Sequence, residues 1–195
     1  ATSNVRNCHL FETISPCTRV DLVRDRWDGN NVIRPYASGD RDLIDYHLLL
    51  MKFSGIDGLL IDWPSAHDAL DYGLNRRNAE VLIERLPAVG LRFAIVYEDY
   101  AVAEVAKTEP SRAPIDIARA DLDYIAATYF SHARYIHVDG APLLLVFGPR
   151  LLQTPAQWEQ VLSGHTPQPQ VLSLWHQSAD LGSNAAGEFA WVYKN

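Results

Sequence analysis

Carboxylates and aromatic side chains stand directly after several short apolar runs of the sequence, where strands would end. They comprise Asp62, Trp63, Tyr97, Glu98, Asp99, Tyr100, Trp175 and His176. Paired carboxyl groups suit glycoside hydrolysis, in which one acid protonates the leaving oxygen and the other acts as base or nucleophile. Carbohydrate chemistry is therefore the first hypothesis that these residue types raise.

Asp62 and Glu98 are the catalytic pair that the sequence predicts. Neighbouring strands lie about 4.8 Å apart, so two adjacent strand ends can place their carboxyl groups roughly 5 to 9 Å apart. This prediction requires that the two strands be neighbours, as consecutive barrel strands are. The alternative is structural: Asp62 would cap the next turn or pair with an arginine, and Glu98 would stand in a solvated loop.

Further residues near the predicted strand ends are candidates for contact with substrate. They are Trp63, Tyr97, Asp99, Tyr100, Trp175, His176 and Glu188. Aromatic rings offer flat apolar faces that can cover the faces of sugar rings. The alternatives are packing in the core or at its rim for the two tryptophans, a solvated loop for Asp99, and a structural role for His176.

Helical and strand patterns alternate along the chain from residue 40 onward. A helix is predicted to begin at 40–42 and to end at Gly55, and the apolar run 58–63 is typical of a strand buried on both faces. Further helices are predicted at 75–90, 115–130 and near 155–162, further strands at 91–97, 142–147, 171–175 and 189–193, and a hairpin turn at 137–140.

Buried strands that alternate with helices predict a parallel sheet with right-handed crossovers. An open doubly wound sheet and a (β/α)8 TIM-type barrel both satisfy this pattern. No GxGxxG or GxxxxGK[ST] motif follows any predicted strand, so a nucleotide-binding open sheet is disfavoured. We therefore predict an α/β fold of the (β/α)8 barrel type.

The predicted barrel is incomplete, because the chain has 195 residues and a full barrel takes roughly 250. We expect about five to six parallel strands, including one before residue 12 and one near the end of the sequence. The interpretation is a single partial barrel domain over 1–195, in which 1–39 forms a shortened first strand and loop region. A fragment, a chain completed by a partner, and a reduced variant all remain open.

The charge balance limits the classes of partner. There are 17 Lys and Arg against 24 Asp and Glu, a net charge of −7, and no basic run offsets it. Binding to nucleic acid or to an anionic membrane surface needs basic patches, so we expect neither. The longest apolar runs are also far shorter than the ~20 residues that a membrane-spanning helix needs, so no membrane insertion is expected.

Cys8 and Cys17 either form a disulfide that closes a short loop or remain free thiols. No His or Cys spacing suggests a metal site, and no cofactor is predicted. The sequence begins with Ala and shows no hydrophobic targeting segment, which suits a processed secreted chain or a trimmed one equally well. A secreted or extracytoplasmic location is our expectation.

Four segments together resemble the glycoside hydrolase family 71/99-like proteins, over roughly residues 35 to 193. Residues 45–63 (DYHLLLMKFSGIDGLLIDW) are similar to a barrel segment of that family, and 93–99 to its following strand. Residues 135–147 are similar to its Asp-Gly-x-Pro hairpin and strand, and 184–192 to a late segment. The resemblance implies a (β/α)8 barrel that acts on α-linked glycans without a metal, as endo-α-1,2-mannosidases and α-1,3-glucanases do.

Two departures from the family accompany this resemblance. In the mannosidase branch two glutamates near the carboxyl end of the barrel perform acid/base work, and nothing in this sequence matches that pair. The first strand and its aromatic loop also look shortened. Asp62, Trp63 and Glu98 match family positions as strand ends on the substrate side.

These observations support one leading function and one alternative. The leading hypothesis is a glycosidase-like protein that acts on or binds an α-linked oligosaccharide or polysaccharide. The alternative is a non-catalytic barrel remnant that serves as a glycan-binding or structural subunit, in which other protein chains cover the open barrel edges.

Overall fold

The protein is built around a parallel sheet with helices packed on one of its faces. This computed structural model describes residues 21–25, 32–36 and 38–191. Its strands are β1 Asp21–Asp25, β2 Val32–Tyr36, β3 Gly58–Trp63, β4 Arg92–Tyr97, β5 His137–Val138, β6 Ala141–Val146, β7 Gln170–Leu174 and β8 Ala185–Phe189. Its α-helices are α1 Arg41–Phe53, α2 Tyr72–Val89, α3 Ala101–Thr108, α4 Pro114–Ile125, α5 Pro155–Leu162 and α6 Ser178–Leu181.

The strand order confirms the predicted α/β architecture. The parallel strands run in the order β3-β4-β6-β7-β8, and the short β5 pairs antiparallel with β6. Each parallel pair follows chain order, as in a (β/α) barrel. Within the described residues no pairing joins β3 to β8, so the sheet is open and the barrel is incomplete.

Most predicted elements are present, with shifts at their ends. The predicted strand 58–63 and helix 155–162 match β3 and α5. Helix α2 begins three residues before the predicted cap Asn75, and the predicted helix 115–130 ends in a π-helical turn over Ala126–Phe130. The last strand among the described residues is β8, which overlaps the expected run 189–193 only at Phe189; residues 192 and 193 lie outside the described residues.

Helices α3 and α6 fall in segments for which the sequence predicted no element. Helix α3 begins two residues after Asp99, and its sequence AVAEVAKT consists mainly of residues that tolerate a helix, without a long apolar stripe to reveal it. The hairpin β1-β2 lies within the region 1–39, and the expected strand before residue 12 lies outside the described residues.

The register of β3 and β4 separates their side chains into two sets. Asp62 pairs with Val96, and Trp63 pairs with Tyr97. Successive side chains of a strand point to opposite faces, so paired residues share a face. Trp63 and Tyr97 face the helices, whereas Asp62 and Val96 lie on the other face, which would be the interior of a closed barrel.

A buried carboxylate joins the helix layer to the sheet. Asp121 of α4 has no exposed surface. It accepts hydrogen bonds from the Ala66 backbone N–H at 2.7 Å, the Ser65 hydroxyl at 2.9 Å and the Tyr97 hydroxyl at 3.0 Å. These donors hold the loop after β3 and the end of β4 against α4, which fixes the ends of both strands.

Replacing Asp121 with Ala should lower the free energy of unfolding by about 3 kcal/mol, because it leaves three buried donors without an acceptor. Urea denaturation measures this change. Asp123→Ala on the same helix is the matched control, because that carboxylate is largely exposed and pairs with His165 at the surface. A loss for Asp121→Ala no larger than that of the control would show that the buried carboxylate does not stabilise the fold.

Candidate functional site

Asp62 lies at the carboxyl end of β3, on the face opposite the helices. Its Oδ1 atom is buried and has no hydrogen-bond partner among the described residues. Burial raises the pKa of Asp62 to about 8, and the negative charge of Glu98 contributes in the same direction. The carboxyl group is therefore largely protonated at neutral pH and can donate a proton.

Glu98 follows the last residue of β4, and its backbone N–H donates to the Trp63 carbonyl at 3.4 Å. It stands two residues after Val96, the partner of Asp62, and so it shares the face of Asp62. Burial raises the pKa of Glu98; the positive charge of Arg150 opposes this rise and the charge of Asp99 adds to it. The two carboxyl groups influence each other electrostatically.

The strand geometry places the Cα atoms of Asp62 and Glu98 on one face of two neighbouring strands. Adjacent strands lie about 4.8 Å apart and two residues of a strand span about 6.6 Å, so the Cα atoms are about 8 Å apart. Glycosidases hold their two carboxyl groups roughly 5 to 9.5 Å apart. The predicted meeting of Asp62 and Glu98 on neighbouring strands therefore agrees with the register.

Trp63 and Tyr97 do not line this site, contrary to the expectation from the sequence. Both side chains have no exposed surface and lie on the helix face of the sheet. The Trp63 indole N–H donates to the Tyr129 hydroxyl at 3.3 Å, and the indole stacks on Tyr124 at 5.8 Å between ring centroids. Alternation along the strand is the reason, because each aromatic residue directly adjoins a carboxylate that faces the other way.

Asp99 is a structural anchor rather than a substrate contact, which also corrects the expectation. Its fully buried carboxylate accepts hydrogen bonds from three successive backbone N–H groups, those of Arg150, Leu151 and Leu152. The distances are 2.9 Å from Arg150 N to each carboxylate oxygen, 2.7 Å from Leu151 N and 2.9 Å from Leu152 N. The side chain thus holds the loop after β6 against the end of β4.

Three other predicted contacts lie at exposed positions around the strand ends. Tyr100 is 51% exposed immediately before α3, and Trp175 is 53% exposed after β7. The Trp175 ring stacks on the ring of His176 at 5.5 Å, and His176 has a positive φ of 65°. Tyr100, Trp175 and His176 remain candidates for substrate contact.

Glu188 does not face the site. It lies on β8 opposite Ser173, which shares the helix face with Val146 of the neighbouring strand. Its carboxylate accepts a hydrogen bond from the Ser178 backbone N–H at 3.1 Å, and bonding to Ser178 lowers the pKa of Glu188. Its role is to bind the first turn of α6.

The structure adds three residues that sequence reasoning missed. Tyr72 at the start of α2 has its pKa raised to about 12, first by burial and then by the charges of Glu104 and Glu98. Phe147 and Arg150 follow β6, and the Arg150 guanidinium lies over the Phe147 ring. Phe147 directly ends a predicted strand, so the strand-end rule could have found it; Tyr72 and Arg150 lie outside any strand.

The described residues contain neither a metal-binding cluster nor a helix that could span a membrane. Across residues 38–191 no cluster of three or more His, Cys, Asp or Glu side chains is arranged to hold a metal ion. No helix in the described part of the chain has the length and apolarity to cross a membrane. Cys8 and Cys17 lie outside the described residues, so their pairing stays a prediction.

Asp62→Asn should weaken the dependence of stability on pH. The folded state holds a proton on Asp62 between pH 4 and about 8, whereas the unfolded chain has lost it. Raising the pH through this window therefore lowers the free energy of unfolding by up to about 1.4 kcal/mol per pH unit. Urea denaturation at pH 5, 6.5 and 8 should show the Asp62→Asn variant gaining stability over the natural protein as the pH rises.

Asp139→Asn is the control for this measurement, because Asp139 is exposed in a turn at φ 51°, a conformation that Asn also adopts. Parallel pH curves for the natural protein and Asp62→Asn would contradict the buried, protonated state of Asp62.

Asp99→Ala should release the loop after β6. Three backbone N–H groups would lose their acceptor, at a cost of about 3 kcal/mol in unfolding free energy. Hydrogen exchange of the Arg150, Leu151 and Leu152 amides should accelerate, and Asp116→Ala, which removes an exposed carboxylate of α4, should leave their exchange unchanged. Unchanged protection of these amides in Asp99→Ala would refute the anchoring role.

Comparisons with known proteins agree on the fold. The chain is similar to two structures of the GH99 endo-alpha-mannosidase from Bacteroides thetaiotaomicron, one of them in complex with Bis-Tris-propane, each with a TM-score of 0.60 and 19% identity over 80% of this chain. A glycoside hydrolase-like protein matches with a TM-score of 0.66 and 12% identity over 98% of this chain.

The chain spans 45% and 48% of the two mannosidase chains and 62% of the glycoside hydrolase-like protein. Comparison of the sequence with protein-family models gives no match, and neither does a comparison with curated proteins. The three structures confirm the fold that the resemblance implied: this chain folds as part of a (β/α) barrel similar to theirs.

Proposed function

We propose that the protein hydrolyses an α-linked oligosaccharide or polysaccharide at the carboxyl ends of β3 and β4. The observation that carries this proposal is the buried Oδ1 of Asp62, which has no partner among the described residues and lies on the same face as Glu98. Buried polar atoms are nearly always hydrogen-bonded, and an exception calls for an explanation. A glycosidic oxygen or a sugar hydroxyl would supply the missing partner.

The two carboxyl groups divide the chemistry between them. Asp62, with a pKa of about 8, keeps its proton at neutral pH and donates it to the leaving glycosidic oxygen as the bond to the anomeric carbon breaks. Glu98 acts as a carboxylate, either removing a proton from the attacking water or attacking the anomeric carbon directly. In the first route Glu98 returns the proton of the attacking water to Asp62 through solvent. In the second route Asp62 takes a proton from the water that hydrolyses the glycosyl ester of Glu98, so that water adds across the bond in both routes.

Exposed aromatic rings at the carboxyl ends of β4 and β7 would hold the sugar. Trp175 and Tyr100 are each about half exposed and stand at the strand ends on either side of β6. An aromatic ring can cover the apolar face of a sugar. A protein surface without such rings binds that face weakly. His176, stacked on Trp175, would offer a ring nitrogen to a hydroxyl.

The comparisons favour an α-linked glycan as the substrate. The protein from Bacteroides thetaiotaomicron that shares this fold is named an endo-alpha-mannosidase. The acidic net charge of −7 agrees with a neutral ligand. A metal-independent reaction and a secreted location remain predictions from the sequence.

One observation favours the alternative of a glycan-binding or structural subunit. Within the described residues β3 and β8 end the sheet without pairing to each other, so each presents a strand edge. Unpaired edges bind other strands readily, and native proteins cover them. A partner chain on these edges would complete the barrel wall, and this chain would then serve as one subunit of that assembly.

The test uses α-mannan and α-1,3-glucan as probes, with release of reducing ends as the readout. Asp62→Asn and Glu98→Gln should each lower kcat/KM at least about 100-fold, the usual contribution of an acid or base catalyst. Asp139→Asn is the matched control, because Asp139 is exposed in the turn between β5 and β6, at the amino end of β6 and away from the carboxyl ends of the strands. It should retain the activity of the natural protein.

Full turnover in both Asp62→Asn and Glu98→Gln would refute the assignment of the pair. Binding of the same probes by calorimetry without any release of reducing ends would favour the non-catalytic alternative. Absence of both binding and turnover on these probes would refute the proposal for α-mannan and α-1,3-glucan alike.

A further inference from the structure

Arg150 lies in the loop after β6, directly over an aromatic ring. Its guanidinium carbon is 5.1 Å from the centroid of the Phe147 ring. The Phe147 ring also contacts the indole of Trp191. The two ring centroids lie 4.9 Å apart, and the two ring planes meet at 76°. Phe147 is therefore held between an indole and a guanidinium, and the ring fixes where the charge of Arg150 sits.

The register places Phe147 level with Glu98. Leu145 pairs with Val96, so Phe147, two residues further, follows the same face as Glu98. The Phe147 backbone N–H donates to the Tyr97 carbonyl at 2.9 Å. This hydrogen bond extends the pairing of β4 with β6 by one residue beyond the end of β6. Arg150 thus covers a ring that stands beside Glu98 on the neighbouring strand.

The side chain of Asp99 fixes the backbone of the loop after β6, which carries Arg150. Both carboxylate oxygens of Asp99 accept the N–H of Arg150 at 2.9 Å. Gly148 allows this close approach, because a Cβ there would lie 2.7 Å from Asp99 Oδ1 and 2.8 Å from Arg150 N. Asp99, next to Glu98 in the chain, therefore fixes the backbone that carries Arg150.

The charged and titratable groups around Glu98 come from four elements. Asp62 lies on β3, Asp99 follows Glu98 directly, Tyr72 begins α2, and Arg150 follows β6. Arg150 supplies the positive charge of this set. Its attraction lowers the pKa of Glu98, whereas burial and Asp99 raise it.

We propose that Arg150 is a positioning residue whose guanidinium, held over Phe147 beside Glu98, favours the charged form of Glu98 over that of Asp62. Arg150 would act through Glu98 and would not itself touch the reacting atoms. The catalytic meaning of this division rests on the proposed function, because it decides which carboxyl group is the acid and which is the base. The charge on each carboxyl group can be measured in the free protein, without substrate.

Carboxyl carbon resonances of the free protein, titrated between pH 4 and 9, test this inference. Asp62→Asn and Glu98→Gln assign the two resonances. Arg150→Met removes the charge and keeps most of the side-chain length, so the midpoint of Glu98 should rise by about one pH unit or more. Arg150→Lys, which keeps a positive charge, should restore most of the shift, and Phe147→Leu should give a smaller rise.

Arg92→Met is the matched control, because Arg92 is exposed at the opposite end of the same strand β4. It removes an equal charge and should leave the midpoint of Glu98 in place. An unmoved midpoint in Arg150→Met, or an equal movement in Arg92→Met, would overturn the inference. Failure of Arg150→Lys to restore the midpoint would overturn it as well.

These measurements separate the inference from the proposed function, because they need no substrate. A shifted Glu98 midpoint without any glycan turnover would support the role of Arg150 and refute the proposed hydrolysis. Where turnover of α-mannan or α-1,3-glucan is found, the acidic limb of the pH profile should move upward in Arg150→Met by the same amount as the midpoint.

Discussion

The pairing of β3 with β4 is the constraint on which the rest of the site depends. Residues 58–63 pair with residues 92–97 without a bulge, so that Asp62 stands opposite Val96 and Trp63 opposite Tyr97. This register turns two large aromatic side chains toward the helices and two carboxylates toward the other face. A slip of one residue would exchange the two sets and bury the carboxylates in the helix layer.

Three buried or partly buried aspartates illustrate how partners decide the role of a carboxyl group. Asp121 and Asp99 each accept three or more hydrogen bonds, and both hold loops in place. Asp62 is partly buried as a residue, and its buried Oδ1 has no partner in the described part of the chain. A protein gains no stability from such a group, and the proposed function gives Asp62 a role that the two hydrogen-bonded carboxylates do not need.

The sequence predicted the fold better than it predicted which side chains surround Asp62 and Glu98. Continuous apolar runs, bounded by glycine and proline, located β3 and β4, and the residues after them gave Asp62 and Glu98. The same reasoning assigned Trp63 and Tyr97 to the site, because being near a strand end says nothing about the face on which a side chain lies. Only the register settles that question, and the register depends on contacts between distant segments.

No local sequence pattern predicts Arg150 or Tyr72 as site residues. Each lies near Glu98 because of an interaction between segments that are far apart in the chain.

The place of Asp62 in the sheet connects its chemistry to the open barrel. Asp62 lies on β3, the first strand in the sheet order, whose far edge pairs with no other strand among the described residues. Any strand that pairs with that edge, from this chain or from another, would remove more water from around the carboxyl group. Because burial is the main cause of its raised pKa, closing the edge would raise that pKa further and keep Asp62 protonated, and so able to act as the acid, up to a higher pH.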